Sequence, residues 1–537
     1  MNRLRLSWLD IFIIACGTIL LTGGEWLFTG SALDHVRLHP SHHRLVLSAV
    51  TILLLSVIFH KHYRNRLYAE SLIFSTIKKL SPKPLHCVTI VFLTMALVFS
   101  YSSYIRHHVF HTSFDFAIFA QAVWNTWHGN FLYSSIKGGI CLLGDHVSPI
   151  LAFFAPMYGF SDSAVSLLIL QAIFASSAVF PIYLIGKRVL SNAKLAVMFA
   201  GLYALYLPLR NAVRFDFHPE VAADPLILWG FYFLLVGRLW PSSIFLFLTL
   251  MTKETACAPV AAVAFYTFCF QKRYGFGILW ILMAVGVFLI DVYIIAPYFS
   301  GKPYFYFGFY SSGLMTSIKQ LFQGSTLTYL KKIFLPLGFF SFLSPSVFLL
   351  TVPILVQNLA TGANFQRSIF FQYTAFLTPF VFVSAIFGLM NFLNWLQKHH
   401  PGRLSKWKRF ATYWIIGWSF LLSGVSEYHV ISEYQRLDSP HLEYVRRYLK
   451  TIPSDFSVRT HEFFAPHLAN RKELHIYENQ HPKEGGSEKA QNADLVIIDN
   501  GFLRSSPSKE TQVQQLKAKG YKIIHKHDGF YVFSRLP

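Results

Sequence analysis

Long apolar segments, separated by short polar connections, fill the chain up to about residue 428. A helix needs about 20 mostly apolar residues to cross the hydrocarbon core of a bilayer, and irregular backbone cannot face lipid. The pattern therefore predicts about thirteen membrane-spanning helices, near residues 8–28, 45–60, 86–105, 162–186, 193–209, 222–239, 241–252, 255–270, 275–297, 330–344, 345–359, 372–396 and 409–427. Three of these segments, 241–252, 330–344 and 345–359, are short, so pairs of them could be re-entrant or tilted.

From about residue 429 the pattern changes to short apolar runs between charged residues. Strand-like runs, a helix that ends at a glycine and a His-Asp-Gly turn follow one another along this tail. The predicted elements are strands at 455–459, 473–477 and 493–499, a helix at 508–519, and a hairpin with strands at 521–524 and 530–533. The tail is therefore predicted to be a small α/β domain of about 100 residues.

The composition places the chain among membrane proteins. Hydrophobic residues make up 53% of the 537 residues and charged residues only 14%, whereas soluble proteins contain roughly 25% charged residues. Disorder requires low hydrophobicity, and five cysteines cannot form a disulfide framework in a chain of this length. A net charge of +21 would suggest nucleic-acid binding, but Lys and Arg cluster at the ends of the apolar segments, as a bilayer requires. We therefore expect a polytopic α-helical membrane protein with no nucleic-acid partner.

The distribution of Lys and Arg predicts the orientation, because cytoplasmic connections are the richer in these residues. The bias favours a cytoplasmic N-terminus. It places outside the segments 106–161, 210–221, 298–329 and 360–371. An odd number of spans places the tail outside as well. The first apolar run contains Asp10 and lacks a small-residue cleavage site, so it is interpreted as the first span and not as a cleaved signal.

Three parts follow from this topology. Residues 1–85 are predicted to form two spans and a basic cytoplasmic loop, and residues 86–428 to form the main transmembrane domain, with 106–161 as its first outside loop. Residues 429–537 are predicted to form the extracytoplasmic α/β domain.

Polar residues beside apolar spans are costly and therefore informative. The stretch 113–129 places Gln121 and Asn125 on one helical face, while its apolar residues form another: Phe116, Phe119, Ala120, Val123, Trp124 and Trp127. This predicts an amphipathic helix that lies in the membrane interface directly after the third span. Asp115 stands at its start, where it suits either a helix cap or a functional acid.

Three further polar clusters fall in the same outside segments or at the edge of a span. Asp145 and His146 precede a short apolar helix that begins at Ser148-Pro149; the alternative is a solvated loop. The stretch 210–220 contains Arg210, Arg214, Asp216, His218 and Glu220, and helix capping does not explain Asp216 or His218. Lys253 and Glu254 form a charged tip that could also be a self-neutralising pair at the bilayer edge.

Together, acids and histidines on one side of a membrane suggest chemistry. A carboxylate can serve as general base toward a hydroxyl acceptor, and Arg or Lys can hold a diphosphate leaving group. Asp with His could also hold a divalent metal, although no spacing is diagnostic of one. The chain contains no glycine-rich phosphate loop, HExxH or CxxC motif. The cofactor therefore stays unknown at this stage.

Several of these stretches resemble the bacterial and archaeal membrane-protein family called domain of unknown function 2079. The similarity covers roughly residues 86–537. It is carried by the segments 114–133, 144–150, 215–220, 252–254, 372–379 and 465–471. That family in turn resembles the glycosyltransferase C superfamily of mannosyl-, oligosaccharyl- and aminoarabinose-transferring membrane enzymes. Members of the superfamily share one span, a long outside loop with two interfacial helices, a polytopic bundle and an extracytoplasmic domain.

The resemblance implies a function and a carrier. An acidic residue early in the first outside loop is the usual catalytic base of the superfamily, and Asp115 occupies the matching place. Asp115 is followed by Phe116 where many members have paired acids, and two extra spans precede residue 86. A polyprenyl-phosphate-linked sugar donor and a location in the plasma membrane of a bacterium or archaeon are implied by the resemblance alone.

The hypothesis is therefore a transferase that moves a sugar from a lipid-phosphate carrier to an acceptor at the outer membrane face, with Asp115 as base. Residues expected to bind substrate are Gln121, Asn125, Asp145, His146, Arg210, Arg214, Asp216, His218, Glu220, Lys253 and Glu254. A transporter or lipid flippase is one alternative, although the sequence shows no internal repeat and its acids, apart from Asp291, gather at one face. A non-catalytic membrane assembly protein is the other.

Overall fold

The computed structural model describes residues 83–310, 314–321, 323–423, 433, 436–476, 492–502 and 509–535. The two spans predicted at 8–28 and 45–60 lie outside these residues. The first helix, α1, is Pro84–His108, and the interfacial helix predicted after it is α2, Phe114–Trp127. A two-residue hairpin, β1 (Tyr133–Ser134) and β2 (Ile140–Cys141), connects α2 to a 3-10 helix at Pro149–Gly159.

Helices make up the bundle that follows. In chain order they are α3 (Val165–Ser177), α4 (Val179–Leu190), α5 (Ala193–Leu205), α6 (Leu207–Phe215), α7 (Ala223–Leu235), α8 (Leu239–Leu250), α9 (Cys257–Cys269), α10 (Tyr274–Ile290), α11 (Ala296–Ser300), α12 (Leu314–Leu321), α13 (Gly324–Phe334), α14 (Pro345–Phe348), α15 (Val352–Ala360), α16 (Thr378–His399) and α17 (Leu404–Ser423). A π-helical turn, Asp291–Ile295, joins α10 to α11.

Within the described ranges, four helical segments are long and apolar enough to cross a membrane: Pro84–His108, Val165–Leu190, Tyr274–Ser300 and Thr378–His399. A fifth is obtained if α5 and α6, which are bent by 46° against each other, count as one span. Shorter apolar helices are Pro149–Gly159, Leu239–Leu250, Glu254–Cys269 and Pro345–Ala360. The membrane class agrees with the prediction, whereas the count of about thirteen spans is not confirmed.

One predicted span is wrong as a single helix. The segment 330–344 contains Pro336, which lacks a backbone donor, and Gly338 and Phe339, which adopt positive φ angles of 62°. These residues end α13 at Phe334 and replace the rest of the span by two 3-10 turns, Leu335–Leu337 and Phe340–Leu343.

The tail forms the predicted α/β unit. Its elements are α18 (Pro440–Leu449), β3 (Val458–Thr460), β4 (Leu474–Ile476), β5 (Leu495–Asp499), α19 (Lys509–Ala518), β6 (Lys522–His527) and β7 (Phe530–Ser534). The strands form one sheet in the order β4-β3-β5-β7-β6, parallel among β4, β3 and β5 and antiparallel for the predicted hairpin of β6 and β7.

The tail domain packs on α2 through its 3-10 turn Ala465–Leu468. Buried apolar residues of α2, the 3-10 helix Pro149–Gly159, α18 and strands β3, β4, β5 and β7 belong to one continuous core. The Gln121 side chain joins the two parts by donating to the carbonyl oxygen of Arg471 at 3.1 Å. The helix that carries Asp115 is therefore held between the bundle and the tail domain.

Candidate functional site

A cavity of about 800 Å³ lies at the N-terminal end of α2. Charged and phenolic side chains line it: Asp115, Lys137, Asp145, His146, His218, Glu220, Lys253, Glu254, Tyr304 and Tyr306. Apolar side chains line it as well, among them Phe114, Ile118, Phe119, Phe215, Phe288, Phe307, Phe365, Phe371 and Phe376. Seven of the twelve residues expected from the sequence to form the site thus meet on this one cavity.

Asp115 pairs with a histidine from a distant segment. Its Oδ2 lies 3.7 Å from Nε2 of His218; the His218 side chain is buried and that of Asp115 keeps 35% of its surface exposed. The helix begins at Phe114 after Ser113, and no side chain caps its start, so Asp115 is not a helix cap. Desolvation alone would raise the pKa of Asp115, but the proximity of His218, aided by the charges of Lys137 and His146, outweighs it and holds that pKa below 3.8. Asp115 is therefore ionised at neutral pH.

Glu220 and Lys253 form the next pair. Lys253 Nζ donates to Glu220 Oε1 at 2.9 Å; the Glu220 side chain is buried and that of Lys253 is largely so, with 4% and 12% of their surface exposed. Burial would raise the pKa of Glu220 and lower that of Lys253, but their mutual attraction reverses both shifts. Burial likewise opposes protonation of His218, yet its pKa is raised because Asp115 and Glu220 favour the charged ring.

Glu254 is the centre of a third group. Its Oε1 lies 2.9 Å from Nδ1 of His146 and accepts the hydroxyl proton of Tyr304 at 2.5 Å, while Oε2 accepts the backbone N–H of Val147 at 3.0 Å. This carboxylate therefore ties the loop after β2 to the 3-10 turn that precedes α9.

Asp145 and Lys137 form the fourth pair, with Lys137 Nζ 3.3 Å from Asp145 Oδ1. The same carboxylate oxygen accepts the hydroxyl of Tyr306 at 3.1 Å, and the Tyr306 ring stacks on that of His146 at 4.3 Å. A Cβ on Gly144 would lie 2.7 Å from the backbone nitrogen of Ser300, so only glycine lets this loop approach the end of α11 so closely.

Eight titratable groups line the cavity, and acidic residues alternate with basic ones. Followed from pair to pair they are Asp115, His218, Glu220, Lys253, Glu254, His146, Asp145 and Lys137. The charge of Lys137 acts in turn on Asp115, which closes the sequence of contacts into a ring. We call these eight residues the charged ring. Each acid in it has a basic neighbour.

Asp216 lies beside the cavity but does not line it. Its carboxylate oxygens accept the backbone N–H of Ser113 at 3.1 and 3.3 Å, which fastens the start of α2 to the segment after α6. Burial raises the pKa of Asp216 to about 7, against the opposing charge of Arg106. The Gln171 side chain donates to the Asp216 carbonyl and accepts the backbone N–H of His218 at 2.7 Å. Asp216 therefore supports the position of both Asp115 and His218.

Gln121 and Asn125 lie away from the cavity. Gln121 is fully buried between the β1–β2 hairpin and the tail domain, and its Oε1 accepts the hydroxyl of Ser134 in β1 at 3.0 Å. Asn125 donates to the carbonyl oxygen of Tyr133 at 3.0 Å. The polar face of α2 is covered by the β1–β2 hairpin and the tail, so these amides fasten the fold and do not line the cavity.

Arg210 and Arg214, expected to hold phosphate, also point elsewhere. Arg210 donates to the carbonyl oxygen of Ser423 at 3.0 Å, and Arg214 binds the carboxylate of Glu433. Glu433, which is fully buried, also binds Arg106 at 3.2 Å and His111 at 3.1 Å. Arg106 in turn donates through Nε to the carbonyl of Phe215 at 2.8 Å. The arginines thus connect α1 and α6 to the end of α17 and to the first residues of the tail.

Several residues that line the cavity were not predicted from the sequence. Lys137 is a single lysine before two glycines, and Tyr304 and Tyr306 stand in an aromatic-rich stretch with no spacing signal. A recognisable signal exists for the amides on the cavity wall: Gln357, Asn358, Gln366 and Gln372 are polar residues in or beside apolar runs. Among the residues that the structure describes, no group of three or more His, Cys, Asp or Glu is arranged to hold a metal ion.

Comparison with known proteins gives a family and a fold. The family model described as predicted membrane protein (DUF2079) matches residues 106–532. No curated protein matches. Among solved structures, the crystal structure of ArnT from Cupriavidus metallidurans bound to undecaprenyl phosphate is similar with a TM-score of 0.53 at 11% identity, over 83% of this chain and 98% of that one. The apo structure of the same protein gives 0.48 at 9% identity over the same shares. At such identity the likeness concerns the fold.

Proposed function

Because the chain belongs to the DUF2079 family of predicted membrane proteins, we propose that it is a multi-pass membrane glycosyltransferase of the bacterial inner membrane. It transfers a sugar from a polyprenyl-phosphate-linked donor to an acceptor at the outer face. The fold likeness to ArnT, whose crystal structure contains undecaprenyl phosphate, supports a lipid-phosphate partner. The domain boundaries at residues 85 and 428 and the extracytoplasmic tail belong to the same proposal.

One observation carries the proposal: an ionised carboxylate, Asp115, stands on a cavity that combines a charged ring with a wall of phenylalanine. A polyprenyl phosphate has the same two-part character, a charged head and an apolar tail. The tail would lie along the phenylalanine wall. The phosphate would meet three of the four basic members of the charged ring, Lys137, Lys253 and His218.

The reaction follows from Asp115. Its carboxylate accepts the proton of the acceptor hydroxyl while the acceptor oxygen forms a bond to the anomeric carbon of the sugar. The bond from that carbon to the phosphate oxygen breaks, and the lipid phosphate leaves with the electron pair. His218 keeps Asp115 ionised before the reaction, because its positive charge favours the carboxylate.

The test is a transfer assay with the full chain in lipid nanodiscs. The donors are undecaprenyl phosphates that carry radiolabelled glucose, mannose or 4-amino-arabinose, and the acceptor is a cell envelope prepared from a strain without this protein. Wild type should move label into the envelope. Asp115→Asn should reduce the rate roughly 10²–10⁴-fold, the usual worth of a general base.

Asp162→Asn is the matched control, because Asp162 is an exposed acid that does not line the cavity. Its Oδ1 accepts a hydrogen bond from Trp124 Nε1 at 3.1 Å. This variant should transfer at the wild-type rate. Undiminished transfer by the Asp115→Asn variant would remove Asp115 from the role of base. Absence of transfer from all three donors would contradict the proposed glycosyltransferase function and favour a transporter or an assembly protein.

A further inference from the structure

The wall of the cavity contains a second polar group that carries no charge. Four side-chain amides line it: Gln357, Asn358, Gln366 and Gln372. Between residues 352 and 376 the chain contains no Asp or Glu, and Arg367 is its one basic residue. The charged ring, by contrast, comes from other segments of the chain. We call these four residues the amide wall.

The amide wall is held in place by its own neighbours. Asn358 on α15 donates through Nδ2 to the carbonyl of Tyr373 at 2.9 Å and to the hydroxyl of Tyr329 at 3.1 Å. These bonds fix α15 to the turn that carries Gln372. Asn211 on α6 donates to the carbonyl of Ile369 at 3.0 Å and fixes the segment just before Gln372. Asn358 and the turn that carries Gln372 are therefore positioned before any ligand arrives.

The side-chain oxygen of Gln372 is an unsatisfied hydrogen-bond acceptor. The residue is 5% exposed, and its Oε1 is buried without a hydrogen-bond partner. Buried acceptors in native proteins nearly always have a partner, because an unsatisfied one costs about 1–3 kcal/mol. A small rotation of the side chain would turn this oxygen into the cavity that Gln372 lines, where a donor from a bound ligand would satisfy it.

The chemistry of the wall selects among ligand groups. A polyprenyl tail offers no hydrogen bonds, and a phosphate favours cations, which the amide wall lacks. A hydroxyl both donates and accepts, as an amide does. Aromatic rings accompany the amides, with Phe365 and Tyr373 at 5.6 Å between ring centres, and present surfaces for the C–H faces of a sugar ring.

A short chain of contacts joins the amide wall to Asp115. The Phe371 ring, next to Gln372, packs edge-on against Phe215 at 4.8 Å. Phe215 stacks on His218 at 5.6 Å, and His218 pairs with Asp115. A group held by the amide wall therefore lies within the same cavity as the base.

We propose that the amide wall binds the hydroxyl groups of the carrier-linked sugar and so determines which sugar is transferred. This inference rests on the proposed function, because it assumes a lipid-phosphate-linked donor. The charged ring would then hold the phosphate and the amide wall the sugar, so that the bond to be broken lies between the two.

The experiment measures binding instead of transfer. Affinities of the full chain in nanodiscs are determined for undecaprenyl phosphate alone and for the same lipid linked to glucose, mannose or 4-amino-arabinose. Wild type should bind at least one sugar-linked lipid more tightly than the bare lipid phosphate.

The variants Gln366→Met and Gln372→Met keep the side-chain volume but remove the hydrogen-bonding groups. Each should weaken binding of that lipid about 5-fold, and both together roughly 30-fold, as expected for hydrogen bonds worth about 1 kcal/mol each.

Binding of bare undecaprenyl phosphate should stay at the wild-type value in every variant, which also reports that each variant is folded. Gln397→Met, the same substitution at an exposed position of α16 outside the cavity, should change neither affinity. Equal losses for the bare and the sugar-linked lipid would overturn the inference, as would a wild type that gains nothing from any of the sugars. A wild type that binds none of the four lipids would instead contradict the proposed function.

Discussion

Asp115 Oδ2 lies 3.7 Å from His218 Nε2, although 102 residues separate the two in the chain. The contact exists because the backbone of Ser113, two residues before Asp115, donates to Asp216, two residues before His218. One carboxylate thus sets the distance between two neighbouring functional groups. The pair lowers the pKa of Asp115 and raises that of His218.

His218→Gln should shift the pH dependence of transfer. Without the imidazolium, the pKa of Asp115 rises, so the acid limb of the kcat/KM profile moves to higher pH than in wild type. Profiles between pH 4 and 9 measure this shift. His128→Gln, at the exposed end of α2, should leave the profile unchanged, and an unmoved acid limb in His218→Gln would contradict the pairing.

The same pair predicts how stability varies with pH. Folding lowers the pKa of Asp115, so this group stabilises the protein fully above pH 3.8 and loses that contribution as pH falls through its folded-state pKa. Folding raises the pKa of His218, so this group stabilises the protein fully below pH 6.5 and loses that contribution as pH rises through its folded-state pKa. Thermal unfolding should therefore show the largest difference between wild type and Asp115→Asn between these two pH values, and a constant difference would contradict it.

Lys253→Met should destabilise the protein because it leaves Glu220 as a buried carboxylate without its ammonium partner. Breaking a buried ion pair costs roughly 3–5 kcal/mol, whereas replacing both partners is often close to neutral. The double variant Lys253→Met/Glu220→Gln should therefore recover most of the lost stability. Thermal unfolding of both single variants and the double variant measures the coupling; simple additivity would show that the two residues do not depend on each other.

Glu433→Gln should loosen the segments around Asp115. The substitution leaves Arg106, His111 and Arg214 without their shared carboxylate, so hydrogen exchange should rise in peptides 106–116 and 214–220, and the unfolding temperature should fall. Asp455→Asn removes an exposed acid of the tail domain, in the turn before β3. An exposed charge of this kind contributes about 0–1 kcal/mol, so this control should change neither measurement. Unchanged exchange in Glu433→Gln would show that the cluster does not hold these segments.

The predicted orientation is testable independently of any chemistry. A reporter enzyme that is active only outside the cytoplasm should be active when fused after Pro537 and silent when fused near Lys79. The reason is the excess of Lys and Arg in the connections assigned to the cytoplasm. The reverse pattern would place the cavity and the tail domain on the cytoplasmic side.

Local patterns predicted the elements well where one physical signal dominates. The spacing of Phe116, Phe119 and Val123 predicted α2, and the turn at Asp528-Gly529, where φ is 39° and 82°, predicted the last hairpin. The span at 330–344 failed because hydropathy does not register Pro336 and Gly338 as breaks. The polar face of α2 was assigned to the cavity because a sequence pattern cannot distinguish a face that meets ligand from one that meets another domain.

Clusters of acid and histidine located most of the charged ring, since each such residue near an apolar span demands an explanation. The sequence did not identify its remaining member, Lys137, or the phenols Tyr304 and Tyr306. These residues reach the cavity only because the tertiary fold brings their loops together. Glu433 could not be found for the same reason: its three partners lie more than 200 residues earlier in the chain.

The alternation of acids and bases in the charged ring has a consequence for how a ligand arrives. Opposite charges a few ångströms apart largely cancel at a distance, so the ion pairs of the charged ring add little to the long-range field of the protein. Their field becomes strong only at contact range, where ions of the medium do not screen it effectively. The charged ring should therefore hold an amphiphile once it has arrived, while its arrival is governed by lateral diffusion in the bilayer.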